Sequence, residues 1–583
     1  MVHKIHIPVM GICYTADTPI RVAHFGITSV ISLVDDGLLE EYRMAYAERL
    51  GLDLGSPQTT RIGRIRSYLD FVADEVERKF TRLCAERFDG GSDKDRYFLM
   101  LPLDSRLRVE YDGVFAKTGL SRIAAEAALT EKMQPGEIQA NIMVGLNHDE
   151  AAFDAVRGFA ASKVKGSLVL SAGVNLAVFE EIAKCKDFYR TRDKAPTKKI
   201  ILKVSDYRSA LVQGRYLAKK GLEVYEYRIE SGVNCGGHAF FEFKKLLLDV
   251  VQEFVEKRKE LFDATCGMIA KFAQFAGSNA TVQEIVPPSA PARITAQGGL
   301  CTPEDIEKVM SLGIDGVGVG TPFLLVPQAT SMDKATRRML AAAAPEDVYI
   351  SHASPLGIPF VNLRTSTAAE LCRKKVEEFF APEGEKSGTP ELKPGFPCRQ
   401  HYLCQKIAGF DHPVCRASRK YVTQHLAEID RMEADEIAEV RDVTDRIQGK
   451  NAMNAMENSL DPSCVAFRMT EGEIREKYNA LRRETLEREC ICRFLGNAGR
   501  EEIHEKSPSL HYQPECVAVA RGSLPARVRE PVTICPNPDI GYFDREYTLF
   551  EMMRHLYGTG PCLTPKDKPS AFEVEAEILA KTV

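Results

Sequence analysis

The residues best suited to chemistry stand at the ends of short strands. Arg293-Ile-Thr-Ala-Gln-Gly-Gly-Leu300 runs into Gly298 and Gly299, and Asp315-Gly-Val-Gly-Val-Gly-Thr-Pro-Phe323 repeats the pattern into Gly320 and Thr321. Where no Cβ intrudes, backbone N–H groups can close on an anion, and the Thr321 hydroxyl adds another donor. One glycine pair is explained by an ordinary turn that needs positive φ; two in successive strand–helix units point to a phosphate. His238 ends Glu230-Ser-Gly-Val-Asn-Cys-Gly-Gly-His238, where the glycines free the backbone and imidazole titrates near neutrality. It reads as a general acid or base, or else as a cap on the helix beginning near Ala239. Cys235 has no histidine–carboxylate pair in sequence and reads as packing. Lys203, closing Lys198-Lys-Ile-Ile-Leu-Lys-Val204, is either a charge at a frayed strand end or a cation for an electron-rich ring or a phosphate.

These positions need a scaffold that brings strand ends together. Lys4–Gly11 and Thr28–Val34 read as the first two strands, followed by 138–144, 166–171, 198–204 and 222–229 and then the two glycine-ended strands. Helices separate most of them. Pro303 to Gly313 is one, capped by Thr302 and stopped by Gly313; Thr18 to Gly26 is another, with Thr18 as cap and Pro19 in its first turn. Eight strands alternating with helices predict an α/β fold, a TIM (β/α)8 barrel, with chemistry at the C-terminal strand ends. Between about 37 and 136 apolar spacing becomes helical, as in Ile65–Val76, which predicts a helical insertion after the second strand. Such an insertion serves as a lid or an oligomer contact.

A chain of 583 residues has room for two or three domains, and a net charge of −5 without a dense basic run argues against nucleic acid. No apolar run reaches transmembrane length, and Met-Val-His-Lys-Ile-His-Ile-Pro lacks the apolar core of a signal peptide. Sixteen scattered cysteines fit a cytoplasmic protein with reduced thiols.

In order and spacing, these blocks resemble the FMN-dependent nitronate monooxygenases (2-nitropropane dioxygenase-like), in a long form, and the related FMN-containing enoyl-acyl-carrier-protein reductases. The blocks are Pro8-Val-Met-Gly11, Lys203 with its following helix, Asn234-Cys-Gly-Gly-His238, Ala296-Gln-Gly-Gly299 and Val319-Gly-Thr-Pro-Phe-Leu324, with Ser354-Pro-Leu-Gly-Ile-Pro359 and Asn362 beyond them. The resemblance spans about residues 1–36 and 138–365. It implies FMN, with Met10 and Gly11 along the isoalloxazine and Asn141 and Lys203 at its polar edge or ribityl chain. Gly298, Gly299, Gly320 and Thr321 would take the phosphate, and His238 would face the substrate. The polar segment 17–26 and the insertion depart from the pattern beside the mouth, which leaves the substrate more open than the cofactor.

The barrel region is expected to fill 1–385, a Pro/Gly-rich linker 386–397, and a mainly helical, cysteine-containing region 398–583. Cys398, His401, Cys404 and Cys415 suffice in number for zinc or an iron–sulfur cluster, though the spacing fits no standard finger and reduced packing thiols are the default reading. Two charged segments, 424–440 and 471–486, carry apolar residues at helical spacing and read as helices that each pack one face, as a solvated layer or as an oligomer or partner surface. Past Pro514 no catalytic signature is visible. Three functions follow: FMN-dependent oxidation of a nitronate, nitroalkane or similar carbanion by oxygen; FMN-dependent enoyl-thioester reduction by NAD(P)H; or a flavin-binding scaffold that assembles partners. The expected partners are a small-molecule substrate, NAD(P)H in the second case, and a homo-oligomer contact, with neither nucleic acid nor membrane.

Overall fold

The computed structural model describes residues 2–11, 15–34, 36–143, 149–171, 174–236, 239, 245–275, 284–332, 334–351, 360–364, 404–405, 414–415, 427, 429–438, 440–441, 470–487 and 536–582. Two compact units divide the chain: 1–354 with 358–399 and 492–583, and 355–357 with 400–491.

In the first unit eight strands close into a barrel. They are β1 (Ile5–Ile7), β2 (Thr28–Ser32), β3 (Ile138–Met143), β4 (Ser167–Ser171), β5 (Lys199–Val204), β6 (Glu226–Glu230), β7 (Arg293–Gln297) and β8 (Gly316–Gly318). Every neighbouring pair is parallel, and β8 closes on β1 through Ile5 opposite Val317 and His6 opposite Gly318. The TIM barrel expected from the sequence is therefore present, in the expected strand order. The sixth strand begins later than its apolar run predicts, at Glu226.

Alternation along the strands sorts their side chains. Ile138, Ala140 and Ile142 of β3, with Ile200 and Leu202 of β5, join the apolar layer beneath the outer helices. The alternate positions face the barrel axis, and most are polar. Glu137 accepts from Lys199 Nζ at 2.5 Å and from the Ser167 hydroxyl. Higher on the axis, Arg228 donates to Glu226 Oε1 from Nε at 2.9 Å and from Nη2 at 2.7 Å, and to Gln139 Oε1 at 3.0 Å. Val30, Val169 and Ile201 form a small apolar plug.

The outer layer comprises α1 (Thr18–Val22), the insertion α2 (Asp36–Leu50), α3 (Arg61–Ala85), α4 (Asp93–Leu99), α5 (Arg106–Asp112) and α6 (Gly119–Thr130), then α7 (Asp149–Ala161), α8 (Leu176–Ala183), α9 (Tyr207–Ala218), α10 (Leu247–Glu256), α11 (Arg258–Phe275), α12 (Pro303–Met310) and α13 (Lys334–Ala341). On α10, Leu247, Val250, Val251 and Phe254 recur at three- and four-residue spacing and are buried, each such side chain contributing about 1.5–3 kcal/mol. Thr302 caps α12 by accepting from Asp305 N–H, as its sequence suggests. At α1 the expected cap is corrected: Thr18 is already helical and donates its hydroxyl to Ala329 O, while Asp17 occupies the cap position and receives Arg21 and Tyr46 instead. Competing tertiary partners outweigh the local capping bond there.

The insertion is helical throughout its five elements and packs along the outside of the barrel. α3 lies against α7, where a Cβ on Gly158 would come within 2.8 Å of Ile65 Cγ2. Arg61, at the start of α3, is buried among acceptors: Leu33 O at 2.9 Å, Ala151 O at 3.1 Å and the Asp36 carboxylate. It joins β2, α2 and α7 in one contact.

Residues 536–582 return to the barrel, in the same compact unit. The Tyr557 hydroxyl accepts from Lys4 N–H at 3.1 Å and Ile5 N–H at 3.3 Å, binding the entry to β1. His555 Nδ1 accepts from Leu563 N–H, which leaves Nε2 as the donor to Cys301 O at 3.0 Å. Sequence reading grouped this stretch with a separate C-terminal region; the packing makes it part of the barrel unit.

In the second unit, Cys404–Gln405 and Val414–Cys415 form a two-stranded antiparallel ladder. The two charged segments are helical over their described residues: Ile429 and Ile437 pack with Ile474 and Tyr478. Pairs Arg441–Glu471, Lys477–Glu436 and Arg482–Asp430 show that these helices run antiparallel. Among the described residues no helix is long and apolar enough to cross a membrane.

Replacing Arg61 by leucine leaves the carbonyls of Leu33, Val34 and Ala151 without this buried donor and Asp36 with Arg64 as its remaining partner, which costs about 1–3 kcal/mol. Urea unfolding of Arg61→Leu should show a correspondingly lower midpoint with an unchanged slope, and an unaltered midpoint would remove this contact from the stability of the insertion.

Candidate active site

The strand ends expected to do chemistry meet at the C-terminal face of the barrel. Met10 and Gly11 follow β1, Asn141 lies in the upper half of β3, Lys203 in that of β5, Gly298 and Gly299 follow β7, and Gly320 and Thr321 follow β8. The closure of β8 on β1 puts Met10 beside Gly320, where a Cβ would stand 3.5 Å from Met10 Cγ and 3.3 Å from Pro8 Cγ. His238, the expected acid–base residue, lies outside the described residues.

The glycines after β7 are required by close approach. Gly298 has φ +141 and Gly299 φ +66. A Cβ on Gly298 would meet Ser231 Cβ at 2.6 Å, and one on Gly299 would meet Asn234 Nδ2 at 2.1 Å. The segment after β6 therefore lies directly against this turn, and no side chain fits between them. Among the described residues, no acceptor takes a hydrogen bond from the backbone N–H of Gly299 or Gly320. Thr321 is half-buried, and its Oγ1 accepts from Asn537 N–H at 3.1 Å. Two such N–H groups and a hydroxyl, carried by the turns after neighbouring strands, fit an anion such as the phosphate of a cofactor.

Across the mouth, three strands share one ionic network. Lys203 Nζ stands 2.7 Å from Glu230 Oε2 and 2.8 Å from Oε1, and Gln297 Nε2 donates to Glu230 Oε1 at 2.6 Å. Lys203 thus reaches the mouth as one half of an ion pair, with a further ammonium hydrogen to offer. Gln297 also lines Gly318, where a Cβ would fall 2.8 Å from His6 Nε2 and 2.9 Å from Gln297 Oε1; only glycine lets β8 pass these side chains. Burial, reinforced by Arg228 and Arg293, holds the His6 imidazole well below its usual pKa, so it is neutral. Asn141 Oδ1 accepts from Ser171 Oγ at 2.8 Å, and no bond joins it to Lys203 among the described residues.

Cys235 is not a nucleophile in this setting. Burial pushes its thiol up to about 12, and the Glu230 carboxylate acts in the same direction, so the thiolate is absent near neutrality. Among the described residues no group of three or more His, Cys, Asp or Glu side chains could hold a metal. Of the four candidate ligands, Cys404 and Cys415 occupy directly opposed positions of the two-stranded ladder, while Cys398 and His401 lie outside the described residues.

Two contributors were invisible in the sequence. Glu575, in the helix Ala571–Thr582, is buried and accepts from Ser231 Oγ with one carboxylate oxygen and from Leu247 N–H at 2.8 Å with the other. Ser231 Oγ in turn accepts from Asn234 N–H at 2.9 Å. One carboxylate thus holds both ends of the segment that carries His238. Burial raises the Glu575 pKa, opposed by those two bonds. Asn537 is the second: besides binding Thr321, its Nδ2 donates to Asn234 O at 3.1 Å. No local pattern announces either residue. Glu230 was legible, since Glu226, Arg228 and Glu230 share one face of β6.

The sequence matches no family model and no curated protein. Among solved structures it is similar to the enoyl reductase domain of MlnA from the macrolactin biosynthesis cluster of Bacillus amyloliquefaciens, at 13% identity and a TM-score of 0.36 over 80% of this chain and 86% of that one. FabK from Thermotoga maritima follows at 14% identity and 0.33, over 65% and 76% of the two chains. Nitroalkane oxidase from Streptomyces ansochromogenes shows 11% identity and 0.29, over 62% and 76%. Likeness at this level carries no weight for the site; the barrel stands on its own strand ladder.

The returning segment also carries a buried acid. Asp539 is enclosed, its carboxylate oxygens have no side-chain hydrogen-bond partner among the described residues, and burial raises its pKa from 3.8 to about 7, with a backbone N–H and Lys568 opposing. Between those two pH values the folded chain holds a proton that the unfolded chain has released. Stability therefore falls as pH rises through this window, by up to about 1.4 kcal/mol per unit, and levels off above it. Asp539→Asn should escape that decline, so its advantage over wild type in chemical unfolding should grow between about pH 5 and about pH 8. A constant difference across that range would show that Asp539 does not hold the proton.

Proposed function

We propose that the barrel binds FMN and oxidises a nitronate, a nitroalkane or a similar stabilised carbanion, with oxygen as acceptor. The observation that supports this most is the pair of turns after β7 and β8, where, among the described residues, the N–H groups of Gly299 and Gly320 meet no acceptor and the Thr321 hydroxyl follows Gly320. That is where a (β/α)8 barrel commonly takes a phosphate, and the family resemblance of the surrounding blocks points to the phosphate of FMN. When bound, FMN would supply the two-electron acceptor for carbanion oxidation.

The chain's own residues then divide the work. Gly298, Gly299, Gly320 and Thr321 hold the phosphate, and Met10 and Gly11 lie along the ring. Asn141 and Lys203 serve the ring's polar edge or the ribityl chain. The Glu230 carboxylate fixes the Lys203 ammonium in place. His238, preceded by two glycines, positions the substrate and holds its proton, and Glu575 binds both described ends of the segment that carries it. Cys235 takes no part, as its thiol stays protonated.

Purified protein should show an oxidised-flavin absorbance band that bleaches when an alkyl nitronate is added anaerobically. A band untouched by nitronate but bleached by NADH or NADPH would replace carbanion oxidation with alkene reduction, and a chain that takes up no added FMN would end the flavin reading. His238→Ala should retain flavin while turning over at least about a hundredfold more slowly. Turnover equal to wild type would take His238 out of the reaction.

A further inference from the structure

Thr321 is the only side chain among the proposed phosphate ligands, and a hydroxyl has a single hydrogen with two acceptor positions. Its hydrogen-bond direction therefore matters: a hydroxyl that spends its hydrogen on protein presents only lone pairs to an anion. Here the backbone N–H of Asn537 donates to Thr321 Oγ1 at 3.1 Å. That bond fills an acceptor position and leaves the hydroxyl hydrogen to donate. The donor comes from 216 residues further along the chain. Asn537 is itself buried, and its side-chain Nδ2 donates to Asn234 O at 3.1 Å. It thus spans the turn after β8 and the segment after β6, whose Asn234 lies against Gly299.

We propose that Asn537 is a cofactor-positioning residue: its N–H orients the Thr321 hydroxyl toward the phosphate monoester held at the turns after β7 and β8, and its amide locks the two sides of that cradle together. This rests on the reading of those turns as an FMN phosphate site. The returning segment 536–582 is then part of the binding site and more than a cover for the barrel wall. Cofactor retention depends on residues that no barrel strand carries.

The backbone offers a direct test. Asn537 has φ −75 and ψ 163, values that proline adopts without change, so Asn537→Pro deletes the N–H donor, together with the side-chain amide, while keeping the path of the chain. Asn537→Ala deletes only the side-chain bond. FMN dissociation constants measured on the full chain should rise about tenfold or more for Asn537→Pro, the range of the hydroxyl–phosphate hydrogen bond that the N–H sustains, and less for Asn537→Ala. Thr321→Val should weaken binding as well. Adding Asn537→Pro to it should bring little further loss beyond that of Asn537→Ala, because the N–H acts through that hydroxyl. Asn537→Pro binding as well as Asn537→Ala, or losses that simply add, would overturn the proposal. Hydrogen exchange on the wild-type chain answers without any substitution: the peptide containing Asn537 should gain protection when FMN is added, and unchanged exchange would also overturn it. A wild-type chain that binds no FMN defeats the site reading and this inference together, whereas a wild type that binds beside an indifferent Asn537→Pro defeats this inference alone.

Discussion

An arginine with almost no access to water stands at the centre of the barrel. Arg228 is 1% exposed, and its charge is met by Glu226 on its own strand, which Thr295 of β7 also binds, and by Gln139 of β3. A guanidinium in that position is tolerable only while its partners stay in register, since removing one would strand a charge in a low-dielectric interior. The requirement ties β3, β6 and β7 together across the axis. It also forces the polar alternation to continue upward, so that Glu230, two residues above Arg228, arrives at the mouth on the same face. The Lys203–Glu230–Gln297 network is the upper end of this axial arrangement.

Glycine does complementary work on the other side of the barrel. β8 presents Gly316 and Gly318 to the axis, where β7 and β1 carry long polar side chains, and the absence of Cβ atoms makes room for Gln297 and His6. The same economy of atoms continues into the turns, where Gly299 yields space to Asn234.

The C-terminal segment closes the arrangement. Asn537, His555, Tyr557 and Glu575 reach four places on the barrel: the turn after β8, the start of α12, the entry to β1 and the segment after β6. Closing so long an excursion costs entropy that grows only slowly with its length, so a few buried hydrogen bonds and one apolar helix face can offset it. The helix Leu549–Leu556 supplies such a face with Leu549, Met552, Met553 and Leu556. Loop order at the mouth is thus set in part by chain that lies outside the barrel's own strands.

The number and order of strands, the helical insertion and the two glycine turns could be read from the sequence, because they rest on periodicity and on glycine's lack of a Cβ, both local properties. The two helices of the second unit were legible for the same reason, though their packing against each other was not. Positions of Met10, Asn141, Lys203, Gly298, Gly299, Gly320 and Thr321 at one face followed once the barrel was inferred, since the C-terminal strand ends of such a barrel converge. What the sequence could not carry is partnership. That Lys203 pairs with Glu230, that Asp17 replaces Thr18 as the cap, and that Asn537 and Glu575 belong to the mouth depends on distances between residues far apart in the chain. Periodicity reports which face a side chain occupies; only the closed structure decides what stands opposite it.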